Sequence, residues 1–394
     1  ADAVPREEMA QAITAMSIAW NSARALGPSI AGFIFAALGA GWVFALAVAS
    51  VIAMIQVVRV WPPKPHPQTR LPAERLWGGT LAGLRFARYS PIILAQLLRT
   101  VAYAGAGSAL WALLPAIAAQ QLQMGATGFG FLMGCLGTGA VAAGLVLGKV
   151  RARIGLERLV AGGCVVFAGA MLVAAFVKVP VVVFIALALG GAAWMAVMAT
   201  FNTATQSSAP PWVRSRAAAL HTVSALGSFA IGSAFWGGIS GIAGLPVALC
   251  LAAAVMVGGA FLARPFPLRI GDVQEVTPGA GWEELYVKDE PHPDDGPVSV
   301  EVSYRIRDGE ALEFLHAVTQ LRDSRRRDGA TLWRVYRDLG DPSRYVERFL
   351  VASWANYLHQ RARSTLADQG LEAQVREFVR EGEMVTMQHY IAER

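Results

Sequence analysis

Between Met9 and Gly271 the chain carries two carboxylates, Glu74 and Glu157. A water-soluble region of that length ordinarily holds many times more. Over all 394 residues the chain is 55% hydrophobic and 16% charged, whereas a soluble protein carries about a quarter charged residues. A membrane-spanning helix needs about 20 predominantly apolar residues. Eight stretches meet that need, approximately 12–38, 42–60, 91–118, 128–148, 158–178, 180–201, 217–242 and 245–263. The expected fold class is a polytopic α-helical membrane protein, with the lipid bilayer as its solvent.

Charge divides the chain in two. Residues 1–270 hold 18 Lys+Arg against 5 Asp+Glu, and residues 271–394 hold 16 against 23. The basic residues of the first part sit in alternate connections: Lys64, Arg70, Arg75, Arg85 and Arg88; then Lys149, Arg151, Arg153 and Arg158; then Arg214 and Arg216; then Arg264 and Arg269. The intervening connections are short, at Gly39–Gly41 and Val179–Pro180, and show only Lys178. The positive-inside rule puts the basic connections and the C-terminal part in the cytoplasm. A multi-pass protein of a bacterial plasma (inner) membrane is the expectation. The sequence pI is 9.5, but no dense basic stripe with interleaved aromatics exists, so nucleic acid is excluded as a partner.

Cys135, Cys164 and Cys250 each lie inside an apolar run without C-x-x-C spacing and read as small buried hydrophobes. No metal site and no cofactor are expected. There is no G-x-x-x-x-G-K-[ST] loop, so the chain does not hydrolyse ATP itself, and an ion gradient, expected to be of protons, is the remaining common energy source. The opening at Ala1 is polar and lacks signal-peptide features, and a missing N-terminal part is expected.

An internal repeat organises the spans. A shift of 205 residues lays Gly27 on Gly232, Gly32 on Gly237 and Gly39 on Gly244 without a gap. The first two spans thus correspond to the last two, as in secondary transporters built of two parallel halves with the substrate between them. The expected whole is a twelve-span transporter, of which residues 1–264 hold the last two spans of the first half and all six of the second. Residues 265–297 are rich in Pro, Gly, Asp and Glu and read as a linker. Residues 298–394 then alternate strand (298–306), helix (308–327), two strands (331–338, 345–352), a broken helix (354–380) and a strand (384–391). That βαββαβ order predicts an α+β ferredoxin-like domain on the cytoplasmic side.

Ionisable residues inside spans are costly and mark substrate pathways. In the first span Asn21 and Arg24 lie one turn apart, with Arg24 near the centre of the run. In the third, Gln96, Arg99 and Tyr103 share one helical face. These five are candidates for the substrate pathway or its gate, against a purely packing role. His221 is the lone histidine within a span and reads as a hydrogen-bonded bystander. No span holds an acid, so a coupling carboxylate is expected in the missing helices. In the tail, His316, Trp333, Trp354 and His359 are candidates to line a pocket, and Arg325–Arg327 read as a solvated helix end that suits the dipole. No catalytic residue is assigned.

Gly27-Pro28-Ser29-Ile30-Ala31-Gly32 resembles the antiporter signature of major facilitator superfamily exporters, with Ala31 where a glycine is usual. Gly148, Arg153, Gly155 and Arg158 resemble that superfamily's second cytoplasmic loop motif, in which Ala152 replaces the acid. Arg325–Ala330, Trp333, Tyr345–Glu347, Ser353-Trp354 and His389 resemble the tail of its transmembrane secretion effector family, related to enterobactin exporters. The tail is also similar to the antibiotic-biosynthesis-monooxygenase fold, which pairs as a dimer. The resemblance implies efflux of a small organic molecule (siderophore-, drug- or antibiotic-like) by alternating access, with a coupling ion and a dimerising or ligand-sensing tail. A membrane-tethered, cofactor-free oxidoreductase is the alternative.

Overall fold

The computed structural model describes residues 38–60, 76–279 and 289–393, with single positions 15, 19, 23, 34, 72 and 287. Asn21, Arg24, Gly27, Pro28 and Gly32, and with them most of the first predicted span, lie outside the described residues. Among the described residues, seven helices are long and apolar enough to cross a membrane. They are α1 (Ala40–Val60), α3 (Pro91–Ala116), α4 (Ala126–Ile154), α5 (Leu156–Phe176), α6 (Pro180–Ser207), α7 (Arg214–Ala243) and α8 (Leu245–Ala260). A further helix, α2 (Leu76–Tyr89), precedes α3 across the single residue Ser90. The sequence reading treated 61–90 as a plain connection, because two adjacent glycines in Trp77-Gly78-Gly79 obscure the helical period.

Chain punctuation explains the breaks. Pro115 removes a backbone donor near the end of α3, and a five-residue π turn, Ile117–Gln121, follows it. Gly39 and Gly244, which the 205-residue repeat superposes, both adopt φ 88° and each opens a helix. An L side chain is strained there and glycine is not. Residues 149–154, read from sequence as part of a loop, are the last turns of α4; only Gly155, at φ 77°, separates them from α5.

The chain divides into two compact units. The first draws on residues 1–67, 95–204 and 221–269. Within it α5 packs along α8, and small residues set other crossings. A Cβ on Gly191 would meet the Leu136 carbonyl, and one on Gly139 the Ala188 carbonyl, so α4 and α6 approach backbone to backbone. Gly232 on α7 faces the Gly105 carbonyl of α3, which also accepts the Trp236 indole N–H at 2.8 Å.

The second unit draws on residues 68–94, 205–220 and 270–394. Following α9 (Val273–Val276), its core is an antiparallel sheet of β1 (Val298–Arg305), β2 (Ala330–Arg337), β3 (Arg344–Val351) and β4 (Thr386–Ile391), ordered β2-β3-β1-β4. Helices α10 (Ala311–Asp328), α11 (Trp354–Arg363) and α12 (Leu366–Arg376) complete it. Val298, Val300, Val302 and Tyr304 of β1 bury alternate positions, together with Phe314, Val318 and Leu321 of α10. Phe86 of α2 meets the Trp212 ring edge-on at 5.6 Å, and the Arg363 guanidinium lies 4.5 Å over that ring. Arg326 donates to the Tyr89 hydroxyl at 3.3 Å.

Candidate functional site in the spanning helices

Gln96, Arg99 and Tyr103 descend one face of α3, and the structure buries all three. The Gln96 amide donates to the Arg269 carbonyl at 3.0 Å. Arg99 Nη1 lies 2.7 Å from both oxygens of Glu157 and 3.5 Å from the Phe266 carbonyl. Glu157, on the first turn of α5, also accepts from the Leu268 amide at 2.5 Å. One carboxylate therefore ties α3, α5 and the segment after α8 together. The sequence reading placed Glu157 in a loop and found no acid for the spans. The carboxylate stands 58 residues from its partner, and only folding brings the two together.

The guanidinium is almost fully buried while the carboxylate is about one-third exposed, at 2% and 37%. A buried charge that loses its partner carries a penalty of several kcal/mol. Arg99 thus needs Glu157 more than Glu157 needs Arg99. Beside Arg99 lies a cavity of about 10 Å³, room for one water-sized molecule, lined in part by Tyr103, Cys164, Phe201 and Met256. The buried Tyr103 hydroxyl has no partner among the described residues. Its ring stacks on Trp194 at 5.5 Å and 30°, and lies 6.0 Å from Phe167 and 6.2 Å from Phe201. Trp111 and Phe229 extend the cluster from the far side of Trp194. Gly107, one turn beyond Tyr103, makes room for that indole. His221 is buried with Nδ1 3.4 Å from the Thr100 hydroxyl, which itself donates to the Gln96 carbonyl.

The loop-motif residues are spread out: Gly148, Arg153 and Arg158 are exposed, and Gly155 forms the helix junction. In the tail, the four pocket candidates do not converge. His316 is exposed on α10, and His359 lies 2.9 Å from the Pro72 carbonyl. Trp354 is buried beside Tyr357, and Trp333 donates to Glu347 at 2.9 Å. The helix rotation that would turn both histidines inward would expose Phe314 and Tyr357, whose burial sets it.

The buried charges of the tail were hidden in the sequence. Glu347 is fully buried, accepting from Arg325 at 3.1 Å, Tyr304 at 3.0 Å and Trp333. Arg327 bridges Asp328 and Asp368, and Asp368 also accepts from Ser324 and caps α12 with Thr365. Arg325 and Arg327 are therefore internal ion-pair residues, correcting the solvated-end reading; Phe314, Val318, Leu321 and Arg325 share one buried face. Burial lifts the Asp328 carboxyl to about 6, with Arg327 opposing. Asp368 is held below the usual range: burial opposes, but Arg327, the Thr365 amide and Ser324 prevail. Tyr357 lies 2.5 Å from His389 Nε2; burial pushes the phenol up to about 12 and the imidazole down. Among the described residues, no cluster of three or more metal-ligating side chains occurs.

The sequence profile of the transmembrane secretion effector family, MFS_3, matches residues 1–394. The chain belongs to that family. It is thus a multi-pass membrane protein of a transporter family, not of an enzyme family. The chain is 29% identical over 242 residues to the enterobactin exporter EntS of Shigella flexneri, covering 60% of this chain and 55% of that protein. Against EntS of Escherichia coli O81 (strain ED1a) it is 29% identical over 246 residues, covering 60% and 56%. The chain spans about half the length of the curated relatives it matches. A crystal structure of a bacterial homologue of the iron transporter ferroportin, outward-facing, is similar with TM-score 0.49 and 16% identity over 67% of this chain and 65% of that one.

Proposed function

We propose that this protein exports a small organic molecule by alternating access, as part of a twelve-span transporter coupled to a proton gradient. The observation that carries the reading is the buried Arg99, held by Glu157 beside the Tyr103–Trp194 cluster. In this reading Glu157 keeps the cation occupied in the state described. Withdrawal of Glu157 frees Arg99 for an anionic group of the cargo, while the aromatic rings take its apolar part. The relatives named enterobactin exporter make siderophore-like molecules the first cargo class to test. Asn21 and Arg24 are proposed pathway residues as polar groups inside an apolar span. The tail is proposed as a cytoplasmic ferredoxin-like domain that senses ligand or pairs with a second copy, since Tyr336 and Tyr390 are exposed on its sheet.

The test is efflux from proteoliposomes under an imposed pH gradient, with membrane abundance measured in parallel. Arg99→Gln is expected to abolish efflux at normal abundance, and Glu157→Gln to uncouple it from the gradient. Wild-type efflux in Arg99→Gln would reduce the pair to a structural tie.

A further inference from the structure

Helix α2 has two committed faces. Gly79, Ala82, Gly83, Phe86 and Ala87 form the buried one, set at helical spacing against α10, Trp212 and Arg216. The opposite face carries Trp77, Leu81, Leu84 and Arg88, at i, i+4, i+7 and i+11. Trp77 is 74%, Leu84 56% and Leu81 43% exposed, and Arg88 is exposed. A stripe of indole and leucine side chains left open is unusual on a helix facing water.

Chain connectivity says what covers it. Ser90 alone separates α2 from the spanning helix that begins at Pro91, and the span Gly41–Val60 enters the same connection. The helix is therefore tethered by one residue to the end of a spanning helix. The connection is also basic: Lys64, Arg70, Arg75, Arg85 and Arg88 occur in it, against the single acid Glu74. Tryptophan favours the headgroup level, leucines the acyl boundary, and arginine the acidic headgroups. We propose that the Trp77–Leu81–Leu84–Arg88 stripe docks in the bilayer interface of a leaflet that carries acidic lipid. Because Tyr89 of the same helix holds the tail's Arg326, and Phe86 meets Trp212, over which the tail's Arg363 lies, this seat fixes the tail at the leaflet.

The test uses the full chain with Cys135, Cys164 and Cys250 replaced by serine, carrying a nitroxide at Leu84→Cys or, separately, Leu81→Cys. Leu339→Cys, on the exposed β2–β3 turn, is the aqueous control. The protein is placed in vesicles of phosphatidylcholine with about one-third phosphatidylglycerol, where positive-inside charge meets acidic headgroups. Relaxation by oxygen and by a water-soluble nickel chelate is compared. The expected result is a higher oxygen-to-chelate ratio at 81 and 84 than at 339, falling at both sites in Arg88→Gln on the acidic vesicles. Free access of the chelate at 84 overturns the proposal. Protection from both reagents also overturns it, since a protein segment or a second copy would then cover the stripe. A ratio unmoved by Arg88→Gln refutes the acidic-lipid preference.

Discussion

Replacing Arg325 by methionine removes the cation from the most enclosed ion pair in the tail. Glu347, fully buried, then keeps only the Tyr304 hydroxyl and the Trp333 indole as donors. Truncating one partner of such a pair costs about 3–5 kcal/mol, because the other charge is left in a poorly solvating interior. The reverse change, Glu347→Leu, is milder. Arg325 retains Glu372 at 2.7 Å, a carboxylate 15% exposed that water still reaches. About 1–3 kcal/mol is expected for that loss. The double variant should be less damaging than Arg325→Met alone, since an apolar pair of similar volume replaces two charges that had to be desolvated. Hydrogen exchange of the full chain in nanodiscs reads the effect locally, at the amides of β1 and β3. At 1.4 kcal/mol per decade, Arg325→Met should speed exchange there by about 10² to 4 × 10³. Exchange within a factor of about five of wild type would place the pair with exposed salt bridges worth under about 1 kcal/mol, and refute the reasoning.

Gly191→Ala should destabilise the helical bundle by about 1–3 kcal/mol, because its methyl would meet the Leu136 carbonyl. Gly130→Ala, whose Cβ meets nothing within 4 Å, should leave the unfolding temperature unchanged; equal effects would refute the crossing. Asp328 should make the tail less stable as pH rises. Its folded pKa of about 6 lies above its ordinary 3.8, so its contribution is complete below pH ~4 and lost as pH climbs through ~6. Asp328→Asn should flatten that slope in the exchange of β1. The depressed Asp368 acts with the opposite sign and stays in both proteins.

How much of this was legible depended on whether a signal was local. Span length is local, and so is the alternation of β1, which predicts a strand. The turns at Gly39 and Gly244 are local too, since both need φ near 88°, which glycine takes without strain. Pairing is not local. Arg99 was found on the strength of its placement in an apolar run, but its partner stood at a helix start that resembled a basic loop. Glu347 gave a faint clue, an acid at an inward position of a strand whose neighbours Tyr345 and Phe349 are apolar. Its cation lay in the Arg325–Arg327 run, where terminal charge masked burial. His316 is exposed and His359 half-buried because helix rotation follows the apolar stripe, and the imidazoles stand beside that stripe.

The single glycine between α4 and α5 has a practical outcome for anyone handling the protein. Four basic side chains cluster around it, Arg151, Arg153, Arg158 and Lys149, a sequence that invites trypsin. Yet a protease must draw several residues of extended backbone into its cleft, and here both flanks are helix up to Gly155 itself. The region should resist digestion in the folded protein. It should also reject epitope tags, whereas the β2–β3 turn around Leu339 offers an open place to insert one.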